Sequence, residues 1–263
     1  MIGPLRYIRT LVYYRDLLWI WTQREVQIRY KQTLLGGAWA ILQPLSLMVI
    51  FTVIFGYLLK VQSGSVPYSL FVYSALLPWT FFANAVNNSF PSLINNMNLV
   101  TKIYFPREIL PIAGIGVALV DFLVGAGLYA IMMVIYGVPA RAVIFWVPVL
   151  LVVQILLILG VSFFASAVIV FYRDVRFVVP LVLQVWMYLS PVIYPLEVIP
   201  DKWRGLYMLN PMAALIDGYR RILLEGTSPE WGYLIPGLGI SLAIFIVGYA
   251  FFKRMEPSFA DII

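Results

Sequence analysis

The stretch VIFWVPVLLVVQILLILGVSFFASAVIVF, Val143 to Phe171, contains no charged residue and a single amide, Gln154. As a helix rising about 1.5 Å per residue it exceeds the roughly 30 Å hydrocarbon thickness of a bilayer. A helix of this length on a soluble core would carry a polar face, and this one has none. The segment reads as a transmembrane span, and its neighbours repeat the pattern. Downstream lie Phe177–Tyr194, short and interrupted by Pro180 and Pro191, and then Tyr233–Phe252. Upstream lie Ala38–Leu59, Tyr68–Phe90 and Ile109–Tyr136. The pattern predicts an all-α membrane protein with six transmembrane helices.

Composition agrees. Hydrophobic residues make up 62% of the chain and charged residues 11%, against about 25% charged in an ordinary soluble domain. The spans leave no room for a separate soluble domain. With no cysteine, neither disulfides nor thiolate chemistry contribute. With no histidine, the commonest metal ligand and general base are missing, and no metal site is expected. The net charge of +6 points to membrane lipids with anionic headgroups rather than to nucleic acid. Met1 to Arg15 carries Arg6, Arg9 and Arg15 but no long apolar core, so a removable signal peptide is not expected.

Six crossings place both termini on one side. That side holds Arg6, Arg9, Arg15, Arg24, Arg29, Lys31, Lys102, Arg107, Arg173, Arg176, Lys253 and Arg254. The other holds Lys60, Arg141, Lys202, Arg204, Arg220 and Arg221. Lys and Arg accumulate on the cytoplasmic side, so both ends are predicted there. The organisation is then a cytoplasmic segment 1–37, a six-span domain 38–252 with an outer loop at 195–232, and a cytoplasmic tail 253–263.

Neither flanking segment reads as a plain linker. Leu17, Trp21, Ile28 and Leu35 share a helical face, with Arg24 and Lys31 beside them and Arg29 away from it. The reading is an amphipathic helix, about Leu17 to Leu35, along the cytoplasmic surface; a helix packed on the bundle is the alternative. In the outer loop, Asn210 before Pro211 is a helix start. Met212, Leu215, Ile216, Tyr219, Ile222 and Leu223 follow on one face, with Asp217, Arg220 and Arg221 on another. A short helix at the outer surface or dipping back into the membrane fits, as does an ordinary surface helix.

Candidate chemistry is sparse. Asp121 is the one acid well inside a span, and intramembrane charge marks function by default. No basic residue is expected at its depth. A hydrogen bond to a neighbouring helix leads, with a water-filled path and proton coupling as alternatives. The other acids are scattered through loops without a motif, which argues against an intramembrane enzyme. No glycine is followed by lysine, so the phosphate-cradling Gly-Lys-Ser/Thr loop is missing; any ATP must be bound by another chain. Aromatics, at 16%, are read first as interfacial anchors, with a sugar-stacking path as the sharper alternative. Gly114 with Ala118, Gly125 with Gly127, and Ser162 with Ser166 permit close helix contact. Asn84, Asn87, Asn88, Gln154 and Gln184 are candidates to wet a path.

Several local strings then resemble one family. REVQIRYKQTLLG (Arg24–Gly36) leads into Trp39 and Gln43-Pro44; LPWTFF (Leu77–Phe82) and NLVTKIYFPRE (Asn98–Glu108) follow. FYRD (Phe171–Asp174), SPVIY (Ser190–Tyr194) and NPM (Asn210–Met212) complete the set. In order and spacing they resemble the permease subunit of ABC-2 type polysaccharide exporters, which move lipid-linked O-antigen, capsule or teichoic-acid chains. The resemblance runs from about Leu17 to Lys253 and leans towards the O-antigen members. It implies a non-enzymatic half-transporter of the bacterial inner membrane. Two copies form one channel, and a separate ATP-binding subunit holds ATP and Mg; this chain binds no cofactor itself. It further implies that the helix at about Leu17–Leu35 and the loop at about Ser92–Glu108 transmit ATPase motion. Arg24, Arg29, Lys31, Asn98, Lys102, Arg107 and Glu108 are the coupling candidates. Trp39, Phe51, Phe55, Trp79, Trp186, Tyr188 and Tyr194 are the channel-lining candidates. Re-entrant helices are implied around Trp203–Leu209 and Pro211–Leu223, with Trp203, Tyr207, Asn210 and Tyr219 as outer-gate candidates. An ABC-2 permease for a small amphiphile is the rival reading.

Overall fold

The computed structural model describes residues 13–31, 36–61, 64, 66–103 and 105–262, which are mostly helical, with no strand among them. Among these residues, five helices are long and apolar enough to cross a membrane: Gly36–Leu58, Tyr68–Ser89, Ile109–Ile135, Ala142–Phe171 and Trp231–Ser258. They coincide with five of the six expected spans. The other, Val175–Tyr188, has 14 residues and so extends about 21 Å, short of a full crossing.

In chain order, α1 is Arg15–Lys31, α2 Trp39–Phe51, α3 Tyr68–Ser89, α4 Ser92–Asn95 and α5 Met97–Lys102. Then come α6 Ile109–Ile135, α7 Val147–Phe171, α8 Val175–Tyr188, α9 Asp201–Tyr207, α10 Pro211–Arg220, α11 Trp231–Met255 and α12 Phe259–Ile262. A 3-10 turn, Gly36–Ala38, leads into α2, and a π-helical stretch, Thr52–Leu58, continues it.

α3 is the most enclosed of the long helices. The most extensive helix contacts are α7 with α11 and α3 with α6. Glycine sets the first: a Cβ at Gly160 would stand 2.6 Å from the backbone nitrogen of Phe245, and one at Gly248 would collide with the Gly160 carbonyl. Without side chains at these two points the backbones touch, which is how helices associate where lipid supplies no hydrophobic drive. Of the expected small-residue contacts, Gly114 lies against the Asn88 backbone and Gly125 against Leu77, whereas Gly127 faces open space. Ser166 Oγ donates to the Ser89 carbonyl at 3.2 Å.

Two helices stand apart from this core. In α2 only Pro44 is buried, and in α8 only Leu183. Val49 on the first, Val53 and Tyr57 on its π-helical continuation, and Phe177, Leu181 and Val185 on the second point away from the protomer.

The N-terminal helix differs in part from its predicted orientation. α1 packs along α6, with Thr22 against Gly116. Of the predicted stripe, Leu17 and Trp21 are half-covered as expected, but the covered face also takes in Leu18, Thr22, Val26 and Tyr30, while Ile28 is exposed. Arg29, expected to face away, is turned inward. The apolar stripe is weak, and an ionic contact to α6 decides the rotation instead. Leu35, the last residue assigned to that stripe, lies outside the described residues, as do the N-terminal residues Arg6 and Arg9.

Candidate functional site

The polar side chains gather at three junctions. The first is inside the bundle. Asp121 lies twelve residues into α6, about 18 Å along it. Arg29 pairs with its carboxylate at 3.2 Å, the two side chains being 31% and 10% exposed. The Tyr30 hydroxyl donates to the same carboxylate. Burial first, then this hydrogen bond, pushes the Tyr30 phenol up to about 12, so it stays a donor at neutral pH. The expectation that no basic residue reaches Asp121 is therefore overturned. Helix α1 carries one there, and the acid fastens α1 to a spanning helix.

The second junction closes the end of the bundle where the chain leaves α11. Glu108, 3% exposed, pairs with Lys253, and Lys253 also meets Glu256 at 2.7 Å. The Arg107 guanidinium donates to the Glu256 carbonyl and lies 6.0 Å over the Phe259 ring. The loop before α6 is thereby clamped to the segment after α11.

The third junction surrounds residues 189–194, where α8 has ended. Trp186 packs edge-on at 5.1 Å against Phe82, fourteen residues into α3 and so about 21 Å along it. α8 therefore stops at depth, and the chain continues without regular structure. It runs back towards the start of α3, where Tyr68 and Phe71 stand; unpaired backbone carbonyls shielded from water are costly, and side chains satisfy them here. Asn210 Nδ2 donates to Leu189 at 3.0 Å, and Tyr68 to Ile193 at 2.6 Å. Arg220 donates to Val192 at 2.9 Å and to Tyr194 at 3.1 Å. Arg220 is 7% exposed and sits 3.8 Å over the Phe71 ring. It was expected on the polar face of its helix; it is buried where two carbonyls of an irregular turn need donors. Nine of the ten residues of α10 are buried. Tyr219 donates to Gln154 Oε1 at 3.1 Å, and Gln154 Nε2 to the Pro78 carbonyl at 2.6 Å. Gln154, proposed to wet a path, instead ties α3, α7 and α10 together.

Residues 16–224 match the sequence profile of the ABC-2 type transporter family. The chain belongs to that family. Its relatives include O-antigen export system permease proteins RfbA from Klebsiella pneumoniae, 29% identical over 96% of this chain and 97% of the relative. A protein of the same description from Myxococcus xanthus is 29% identical over 98% and 99%. The polysialic acid transport protein KpsM of Escherichia coli is 24% identical over 89% and 92%. This chain is thus similar, along nearly its whole length, to polysaccharide export permeases.

In this ABC-2 permease the coupling candidates divide. Arg29, Arg107 and Glu108 are committed to contacts within the chain, as above. Lys31, Asn98 and Lys102 are exposed, and Arg24 is exposed with its guanidinium 4.5 Å over Trp21. The channel candidates do not form one wall in the protomer. Trp79 is buried against Phe82, which also contacts Trp186; Phe51 and Phe55 meet edge-on at 6.0 Å on the α2 side. Trp39 and Tyr188 are exposed. Tyr194 shares a hydrogen bond of 3.0 Å with Tyr207. Of the gate candidates, Asn210 caps α10 through Met212 N at 3.0 Å and accepts from Trp186 Nε1 at 2.8 Å. Tyr219 is core, and Trp203 is exposed under Lys202. Sequence reasoning missed Arg220, Lys253 and Gln154 as structural keys. No local signal marked Arg220, whose carbonyl partners lie 26 and 28 residues earlier in the chain.

Proposed function

We propose that this permease exports a lipid-linked, O-antigen-like polysaccharide across the bacterial inner membrane. Two copies form the channel, and a separate ATP-binding subunit supplies the energy, holding ATP and Mg itself. The observation that carries this reading is end-to-end similarity to O-antigen export permeases. A hydrated polymer needs a wide path, and the described residues of one protomer, with a closely packed core, enclose none. The uncovered apolar faces of α2 and α8 support a channel completed by a second copy. Six crossings are supported by α8 together with the satisfied turn at 189–194. A re-entrant α9–α10 pair is supported by the contacts of Asn210 and Trp186 at depth, and by Arg141 donating to the Glu225 carbonyl at 2.9 Å where the chain returns. The distribution of Lys and Arg supports cytoplasmic termini.

ATPase motion enters through α1 and the α4–α5 segment. The ion pair of Arg29 with Asp121 then passes it to α6, and the clamp of Glu108 with Lys253 passes it to α11. The test is co-expression with the ATP-binding subunit in cells lacking their own O-antigen permease. Surface polysaccharide and ATP hydrolysis with and without lipid-linked glycan are then measured. Export is expected for the wild type. For Lys102→Glu, expected results are continued hydrolysis, an intact dimer and export reduced tenfold or more. An assembled, hydrolysing wild-type complex that delivers no polysaccharide rejects the cargo; full export by Lys102→Glu rejects the coupling loop.

A further inference from the structure

Where α2, α3 and α6 meet, a small cavity of about 20 Å³ adjoins Asp121. A single water needs about 10–15 Å³ and two to four polar partners, so the space suits one small molecule and excludes a sugar or a lipid chain. The polar part of its wall comes from all three helices: Ala40 and Gln43 of α2, Thr80 and Asn84 of α3, and Asp121 of α6. Asp121 lies well away from either end of its helix.

Several of these groups have hydrogen-bonding capacity that the chain itself leaves unused. Pro44, which also lines the cavity, has no N–H, so the Ala40 carbonyl one turn earlier in α2 lacks its α-helical donor. Proline is tolerated inside a membrane helix where side chains or ordered water meet the freed carbonyl. The side-chain amides of Gln43 and Asn84 make no hydrogen bond to another described residue. Thr80 differs, because its hydroxyl donates to the Leu77 carbonyl at 3.1 Å. Asp121 accepts from Tyr30 on one oxygen and meets Arg29 with the other, and a carboxylate offers about four acceptor sites. Its side chain keeps 10% exposure, so it is not sealed from the cavity.

Charge decides between a water and a cation. The negative charge of Asp121 is already met by Arg29 at 3.2 Å, and the other polar groups on the wall are neutral. A hard cation takes about six oxygen ligands, more than this wall supplies. A water balances the set. Its two hydrogens go to Asp121 and the Ala40 carbonyl, and its two lone pairs accept from the Asn84 and Gln43 amides.

We infer that an ordered water occupies this cavity and bridges Asp121 to Asn84 of α3 and to Gln43 and the Ala40 carbonyl of α2. Asp121 is then a hub. It fastens α1 directly, and through the water it reaches α2, a helix in which only Pro44 is otherwise enclosed. The inference is independent of which cargo the permease exports.

The test is X-ray hydroxyl-radical footprinting of the purified full chain in micelles, read by mass spectrometry. Radicals form in place from bound water, so a ring beside it is oxidised even when buried. Phe81 and Phe122 line the cavity, whereas Phe163 and Phe252 are also buried but belong to a separate cluster. Oxidation of the first two is expected to run fivefold or more faster than that of the second two. Gln43→Met, close in size, and Asn84→Leu, which also fills the space, should each lower it threefold or more. Gln184→Met, which alters an exposed amide of α8 outside the cavity, should leave it unchanged. Thermal melts establish that each variant is folded, and Gln43, being exposed, keeps the test decisive if Asn84→Leu does not fold. Oxidation of Phe81 and Phe122 no faster than that of Phe163 and Phe252 overturns the inference. So does undiminished oxidation in Gln43→Met, or an equal loss in Gln184→Met.

Discussion

Replacing Arg220 with methionine keeps the length and apolar bulk of the side chain and removes its donors. Two buried carbonyls, Val192 and Tyr194, lose partners at 2.9 and 3.1 Å, at about 1–3 kcal/mol each. The contact with the Phe71 ring at 3.8 Å adds about 2 kcal/mol for a desolvated cation. Opposing these losses is relief from holding a buried charge, itself several kcal/mol. The net expectation is a local destabilisation of about 2 kcal/mol, because the carbonyls remain in place and remain buried. The loss is confined to the turn, since Tyr68 and Asn210 still hold its other carbonyls. The assay is amide hydrogen exchange read by mass spectrometry on peptides covering 189–199. A 2 kcal/mol loss corresponds to roughly 30-fold faster local opening, with peptides from α7 and α11 unchanged. Arg220→Lys, a point charge able to satisfy one carbonyl well, should fall between. If the methionine variant exchanges within threefold of wild type, or if all helices loosen together, the reasoning about this turn is wrong.

Asp121→Asn should release α1. The amide still accepts from Tyr30, but Arg29 loses its counter-ion. Because that arginine is 31% exposed, the expected cost is about 1–2 kcal/mol, below that of a fully buried pair. Trypsin cleavage after Arg24 and Lys31 should accelerate about tenfold, and an unchanged rate would remove Asp121 as the tether. Gly248→Ala forces a methyl group into the Gly160 carbonyl and should cost about 1–3 kcal/mol by overpacking. Gly127→Ala, with nothing within 4 Å, should be neutral or gain about 0.5–1 kcal/mol from helix propensity. Thermal melts of the pair in one detergent decide it: equal midpoints would mean the α7–α11 contact is not glycine-limited.

The long spans were legible because hydrophobic length is a local property. Val143–Phe171 can be read as a crossing without knowing its neighbours, and Ala142–Phe171 forms that helix. The failures have one physical origin, which is that a polar side chain's role depends on what another element brings to it. Asp121 looked unpartnered because its cation sits 92 residues away, on a helix whose apolar stripe placed Arg29 outside it. Arg220 looked like a solvated charge because its neighbours at i±3 and i±4 are mixed. Its true partners are backbone carbonyls, which carry no residue code. The early end of α8 was hinted at by Pro191 and Pro195, but the chain's continuation through satisfied carbonyls is a tertiary fact. Among the coupling candidates, the basic strings were visible, yet nothing local separated the committed Arg107 from the exposed Lys102.

The contact of Gly160 with Gly248 has a mechanical corollary. Two helices whose main chains touch cannot slide or tilt without breaking that seat, so α7 and α11 behave as a single beam. Helices α2 and α8, each with a single fully enclosed residue, have no such backbone seat. A push arriving at one end of the bundle meets a rigid post on one side and a loosely hung panel on the other, and it is the panel that swings.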